Sequence, residues 1–125
     1  MKVNRFEDLI AWQKARLLTR AVYQITKGTY FLKDASLANQ MQRASVSVMA
    51  NLAEGFERSS RLDFHRFIVI AKSSCAELRS HLYVALDSGY LTQDAFNKIT
   101  EAATEVSKIL GGLKKAVRLD GKLTP

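Results

Sequence analysis

Four polar side chains lie on or beside the apolar seams of two predicted helices. They are Asn51 and Glu54 in the second helix and Ser74 and Glu77 in the third. A buried polar group without a partner costs about 1–3 kcal/mol, so we expect the first pair to exchange hydrogen bonds with the second across the helix interface. Polar seam residues of this kind set register and pairing in coiled coils. The pattern therefore predicts a structural polar layer.

A carboxylate metal site is the alternative use of the same region. Its candidate ligands are Glu54, Glu57, Glu77 and His81. Di-iron bundles use a Glu-x-x-His pair on each of two helices, with a further glutamate from each of the other two. Here Glu77 and His81 are four residues apart, this pair occurs once, and His65 lies sixteen residues from His81. We therefore expect no metal and no other cofactor.

The residues that could act as nucleophiles are in poor positions for catalysis. Ser73, Ser74 and Cys75 fall in the middle of a predicted helix, with no strained turn and no neighbouring His-Asp pair. The sequence has no glycine-rich phosphate loop, Cys-x-x-Cys pair or His-Glu-x-x-His helix. We therefore expect no enzyme activity. The single cysteine, on an apolar seam, is expected to be a small buried hydrophobe in a reducing cytoplasm.

Basic residues outnumber acidic ones by 19 to 12, which gives a formal net charge of +7 and a pI near 9.8. Any one cluster of these basic residues can be explained as a solvated, charged helix face. The overall excess of basic residues is not explained in this way, and it attracts polyanions. Phosphate contacts from Arg and Lys would make the affinity depend on salt. No zinc finger, basic zipper or aromatic stacking platform is evident, so base readout is not predicted. The candidate nucleic-acid-binding residues are Lys14, Arg16, Arg20, Arg58, Arg61, Arg66, Lys108, Lys114, Lys115 and Arg118.

The elements that must position these residues are four apolar stripes with alternating spacings of three and four, which is the helical period. The stripes predict helices over about 7–27, 35–57, 61–88 and 92–117, followed by a flexible basic tail at 118–125. Helices of matched length with short connections must return antiparallel. We therefore predict one all-α domain, an up-down-up-down four-helix bundle, with no membrane span and no secretory signal.

Several short motifs in this order resemble a known bacterial family. They are Phe6-Glu7-Asp8-Leu9, Ala11-Trp12-Gln13-Lys14-Ala15, Asn51-Leu52-Ala53-Glu54-Gly55, Ser74-x-x-Glu77-Leu78 and Gly89-Tyr90-Leu91. The chain resembles the four-helix bundle proteins encoded in intervening sequences of 23S ribosomal RNA genes, over nearly its whole length to about residue 117. One departure is Ser73, where many relatives have glycine.

The resemblance implies further properties that composition does not. It implies assembly into a homopentamer and a relation to the accessory variability determinants of diversity-generating retroelements. Those proteins are basic pentamers that bind RNA or DNA and associate with a reverse transcriptase. The resemblance carries over no catalytic residue, and Asn51, Glu54, Ser74 and Glu77 match motif positions with a structural role.

Two functions therefore stay open at the level of sequence. The first is a non-enzymatic accessory protein that oligomerises and binds nucleic acid. The second is a pure protein-interaction module, whose partner would be a reverse transcriptase or a similar acidic surface.

Overall fold

A computed structural model describes the backbone of residues 3–121 and the side chains of residues 3–117. It contains four α-helices, which are α1 (Ile10–Ile25), α2 (Ala35–Glu57), α3 (Arg61–Asp87) and α4 (Gln93–Gly121). Two short 3-10 helices, Phe6–Asp8 and Thr29–Lys33, precede α1 and α2. Within this part of the chain there is no strand, as the helical period of the apolar residues predicts.

The four helices form the predicted up-down-up-down bundle. Helix α3 packs against α2 and α4, and α1 packs against the same two helices, so α1 and α3 are diagonal. The short connections force each helix to run antiparallel to the one before it. The interior is filled by one side chain per turn from each helix, for example Leu18, Met41, Leu78 and Leu110. The predicted fold class is confirmed.

The ends of two helices differ from the predicted bounds. Helix α1 was expected to begin near residue 7, but Leu9 adopts an extended backbone and separates the 3-10 helix at Phe6–Asp8 from α1. Burial of Leu9 and the edge-on contact of Phe6 with Trp12, at 5.2 Å between ring centroids, hold this kink.

Helix α4 continues to Gly121, so the first part of the predicted tail at 118–125 is helical in its backbone. Burial of Val117 anchors the last turn, and no proline precedes Pro125. Residues 122–125 lie outside the described part of the chain. Among the described residues, no helix is long and apolar enough to cross a membrane.

Polar side chains cap the helices where the connections begin. Asp34 accepts from Leu37 N, Ser60 from Asp63 N and Thr92 from Ala95 N, each at 3.1 Å. The Tyr90 hydroxyl donates to the other carboxylate oxygen of Asp34 at 3.1 Å. This bond raises the pKa of Tyr90 and ties the α3–α4 connection to the start of α2.

Cys75 is fully buried, and its thiol donates to the Ala103 carbonyl oxygen at 3.3 Å. Burial raises the pKa of this thiol, and the nearby charges of Arg79 and Lys72 only partly oppose that effect. The thiol is therefore unreactive in the folded protein, as predicted for a small buried hydrophobe.

The raised pKa of Cys75 predicts a loss of stability at high pH. The unfolded chain ionises this thiol above a pKa of about 8.5, whereas the folded chain keeps it protonated, so the free energy of unfolding falls as pH rises past that value. We expect the free energy of unfolding to fall less for Cys75→Ala than for the parent when the pH is raised from neutral to strongly alkaline. Urea unfolding of both proteins at the two pH values measures this. Equal losses for the two proteins would contradict the prediction.

Candidate nucleic-acid interface

The antiparallel packing gathers the positive charge on one half of the bundle. Cross-helix contacts place the middle of the bundle near Thr19–Ser45, Ser47–Ser74 and Cys75–Ala103. The half that contains the α2–α3 connection consists of residues 3–17, 46–74 and 105–117, and we call it the basic half. It carries ten Lys and Arg against six Asp and Glu, whereas residues 18–45 and 75–104 carry six against five.

Eight of the ten candidate residues lie on the basic half. They are Lys14, Arg16, Arg58, Arg61, Arg66, Lys108, Lys114 and Lys115. Arg20 lies on the other half, because α1 runs away from the α2–α3 connection. Arg118 belongs to the last turn of α4 at the same end as the eight, and its side chain lies outside the described residues.

Some of these cations are held by neighbouring side chains. Lys14 pairs with Glu105 at 3.5 Å, and the Arg16 guanidinium lies over the Trp12 ring at 5.8 Å from its centroid. Arg66 pairs with Asp63 at 3.7 Å. These are exposed pairs, each worth about 0–1 kcal/mol, so they constrain the side chains without neutralising the half as a whole.

Four other cations on this half have no ion-pair partner among the described residues. In this part of the chain, no carboxylate lies within 4.0 Å of Arg61, Lys108, Lys114 or Lys115. Arg61 begins α3, and the three lysines lie in the second half of α4, at the same end of the bundle. Cations without protein partners are the ones available to neutralise phosphates.

The polar layer between α2 and α3 differs from the predicted one. The Asn51 side-chain amide donates to the Ser47 carbonyl oxygen at 2.8 Å and to Ser47 Oγ at 3.0 Å. Ser47 Oγ in turn shares a hydrogen bond with Ser74 Oγ at 2.8 Å. Asn51 and Ser74 therefore meet through Ser47, which sequence reasoning missed. Its position, one helical turn before Asn51, was the available signal.

The two glutamates do not take part in this layer, contrary to the prediction. Glu54 pairs with Arg58 of its own helix at 3.1 Å, and Glu77 lies 3.4 Å from His81 Nε2 within α3. Both carboxylates are more than half exposed. They face solvent because a charge is costly to bury without a partner, whereas a hydroxyl and an amide can satisfy each other inside the interface.

Ser47 is expected to contribute more to stability than either glutamate. Ser47→Ala leaves the buried Ser74 hydroxyl without its partner, and should lower the free energy of unfolding by about 1–2 kcal/mol. Glu54→Gln and Glu77→Gln, on the surface of the same helices, should change it by less than about 0.5 kcal/mol. Urea unfolding of the three variants measures this, and a larger loss in a glutamate variant would restore the predicted layer.

The carboxylates and histidines of the metal alternative do not assemble. Within residues 3–117, no group of three or more His, Cys, Asp and Glu side chains is placed to hold a metal ion. Glu77 and His81 contact each other on α3, while Glu54 is turned to Arg58.

Helix α3 exposes apolar side chains along its outer face. They are Leu62, Val69, Ile70, Tyr83 and Val84, and each is at least 40% exposed. Leu17 and Tyr23 of α1 and Tyr30 are exposed as well, whereas Phe31 is buried in the core. An apolar stripe on one helix is typical of a surface that contacts another protein.

The sequence matches the 23S rRNA-intervening sequence protein family over residues 7–112, which is most of the chain. The protein belongs to this family. The family assignment agrees with the resemblance carried by the Asn51–Gly55 and Ser74–Leu78 motifs.

A solved structure shows the same fold. A protein of unknown function from Bacteroides thetaiotaomicron, assigned to the S23 ribosomal protein family, is 22% identical, with a TM-score of 0.77 over 85% of this chain and 99% of that chain. None of the curated proteins compared with the sequence matches it.

Proposed function

We propose that this member of the 23S rRNA-intervening sequence protein family is a non-enzymatic bundle that binds nucleic acid through phosphate contacts. The observation that carries the proposal is the excess of basic side chains on the basic half, where ten Lys and Arg stand against six Asp and Glu. The family is named for 23S rRNA, which makes RNA the first polyanion to test. The one cysteine of this protein, Cys75, is buried and free, which suits a reducing cytoplasm.

Filter binding to a structured RNA at two salt concentrations tests this proposal. Each phosphate that a cation neutralises releases counterions, so the logarithm of the affinity should fall linearly with the logarithm of salt, by about 0.9 per contact. Four to eight contacts would give a slope between about −4 and −7. Absence of binding at low salt would reject the proposal.

Self-association is the second part of the proposed function. The apolar surface near the end of α3, formed by Tyr83 and Val84, favours burial against another copy, and the family resemblance points to a homopentamer. Sedimentation equilibrium tests this part separately from RNA binding. A monomer at micromolar concentration would contradict it.

A protein-interaction module is the alternative function, and the same face of α3 favours it. In that case the partner would be a reverse transcriptase or a similar acidic protein, to which this chain would be an accessory factor. Co-purification with the product of a neighbouring reverse-transcriptase gene, combined with no RNA binding at low salt, would favour this alternative.

A further inference from the structure

A shallow recess of about 570 Å³ lies on the basic half, where the end of α2 meets the first turns of α3. Its floor is apolar and comes from Phe67, Val69 and Ile70. Its polar lining consists of the guanidinium groups of Arg58 and Arg66, the Asp63 carboxylate and the His65 ring. The volume is within the range of small-molecule sites, about 300–1,000 Å³.

The Arg58 guanidinium is held in one position by three neighbours. It lies over the Phe67 ring at 5.1 Å from the centroid, donates to Glu54 at 3.1 Å and lies 4.0 Å from Asp63. The side chain is still about half exposed, at 48%. A planar cation that is fixed on its inner face and open on its outer face is a surface on which a base can stack.

The rest of the recess fits a nucleotide. Arg66 is 71% exposed and, among the described residues, pairs with Asp63 alone, which leaves most of its donors for a phosphate. Val69 and Ile70 are 40% and 45% exposed, so they can contact the apolar surface of a base. An unpaired, unstacked base is the part of a nucleic acid that exposes a flat face to such a surface.

We propose that this recess binds an unpaired nucleotide of an RNA strand, with the base stacked on the outer face of Arg58 and its phosphate on Arg66. The inference rests on the proposed nucleic-acid binding and adds to it a preference for unpaired RNA. Phosphate contacts alone favour a duplex, because its charge density is higher. A preference for the unpaired strand therefore requires base stacking.

The test compares an unpaired RNA strand of about 12 nucleotides with a duplex that has the same number of phosphates. The parent protein should bind the strand more tightly. Arg58→Lys keeps the charge but removes the planar group, and should weaken strand binding roughly tenfold without changing the salt slope or duplex affinity. Arg43→Lys, at an exposed arginine on the other half of the bundle, is the matched control and should leave both affinities unchanged.

A second pair of variants tests the apolar floor. Ile70→Gln should weaken binding of the strand about fivefold and not binding of the duplex. Val46→Gln, at a side chain that is 42% exposed on α2 and outside the recess, should change neither. Both side chains are on the surface, so circular dichroism melting should show the parent fold for both variants.

The outcomes separate this inference from the proposed function. Equal or tighter binding of the duplex would overturn the proposal that the recess binds a nucleotide, as would unaltered strand binding in Arg58→Lys and Ile70→Gln. Either result would leave the proposal of phosphate binding intact. Equal binding of a DNA strand would overturn the assignment to RNA. Displacement of the strand by a Glu-rich peptide at the same concentration would overturn the nucleotide assignment, and no binding of any nucleic acid would reject the proposed function itself.

Discussion

Replacing Gly55 with alanine is expected to lower the free energy of unfolding by about 2 kcal/mol, within the usual cost of overpacking. Gly55 is a buried residue in α2 that faces Phe64 and Phe67 of α3. A Cβ atom at this position would lie 2.5 Å from Phe67 Cβ and 3.2 Å from a ring carbon of Phe64. Phe67 Cβ is attached directly to the backbone, so the two helices would have to separate.

Gly112→Ala is the matched control for this substitution. Gly112 also lies within a helix, α4, and no atom within 4 Å would meet its Cβ. Alanine there should raise the free energy of unfolding by about 0.5–1 kcal/mol, because glycine is a poor helix former. Urea unfolding of both variants measures the two effects. A Gly55→Ala protein as stable as the parent would show that α2 and α3 do not approach this closely.

The second prediction concerns the distribution of charge between the two halves of the bundle. Changing Arg61, Lys108 and Lys115 together to glutamine should reduce the RNA affinity about a hundredfold at a salt concentration of about 50 mM. The slope of the logarithm of affinity against the logarithm of salt concentration should become smaller in magnitude by about 2.7, since each lost phosphate contact removes about 0.9. All three side chains are exposed and unpaired among the described residues, so the fold should be unaffected.

The control variant has the same net charge but its changes lie on the other half. It replaces Arg20, Lys27 and Lys33 with glutamine, again one arginine and two lysines with exposed side chains. Long-range attraction should fall equally in the two variants, whereas the salt slope should fall only in the first. Equal slopes for the two variants would mean that binding depends on net charge and not on the basic half.

The contacts of Gly55 show what the sequence predicts about a helix interface and what it does not. The apolar period predicts that Gly55, the last residue of the Asn51–Gly55 motif, lies on the buried face of its helix. Which atom it meets on α3 depends on the rotation and register of the two helices, which the periodicity of the sequence does not specify. Phe67 therefore became its neighbour only in the packed bundle.

The same holds for the polar residues. Asn51 and Ser74 were recognised as a layer because amides and hydroxyls are out of place on an apolar seam. Asn51 and Ser74 are connected through Ser47, whereas Glu54 and Glu77 lie at the surface. These outcomes depend on small differences in side-chain position. Periodicity specifies a helix face, and only packing specifies which partner on that face is within hydrogen-bond distance.

The helices, their antiparallel order and the sign of the net charge can all be predicted from the amino-acid sequence. These follow from local properties, which are the helical period, the short connections and the numbers of basic and acidic residues. The concentration of positive charge on the basic half, and the recess between α2 and α3, depend on how the helices pack. Arg58 and Arg61 are distant in sequence from Lys108 and Lys115, and it is the reversal of chain direction between helices that places them at one end of the bundle.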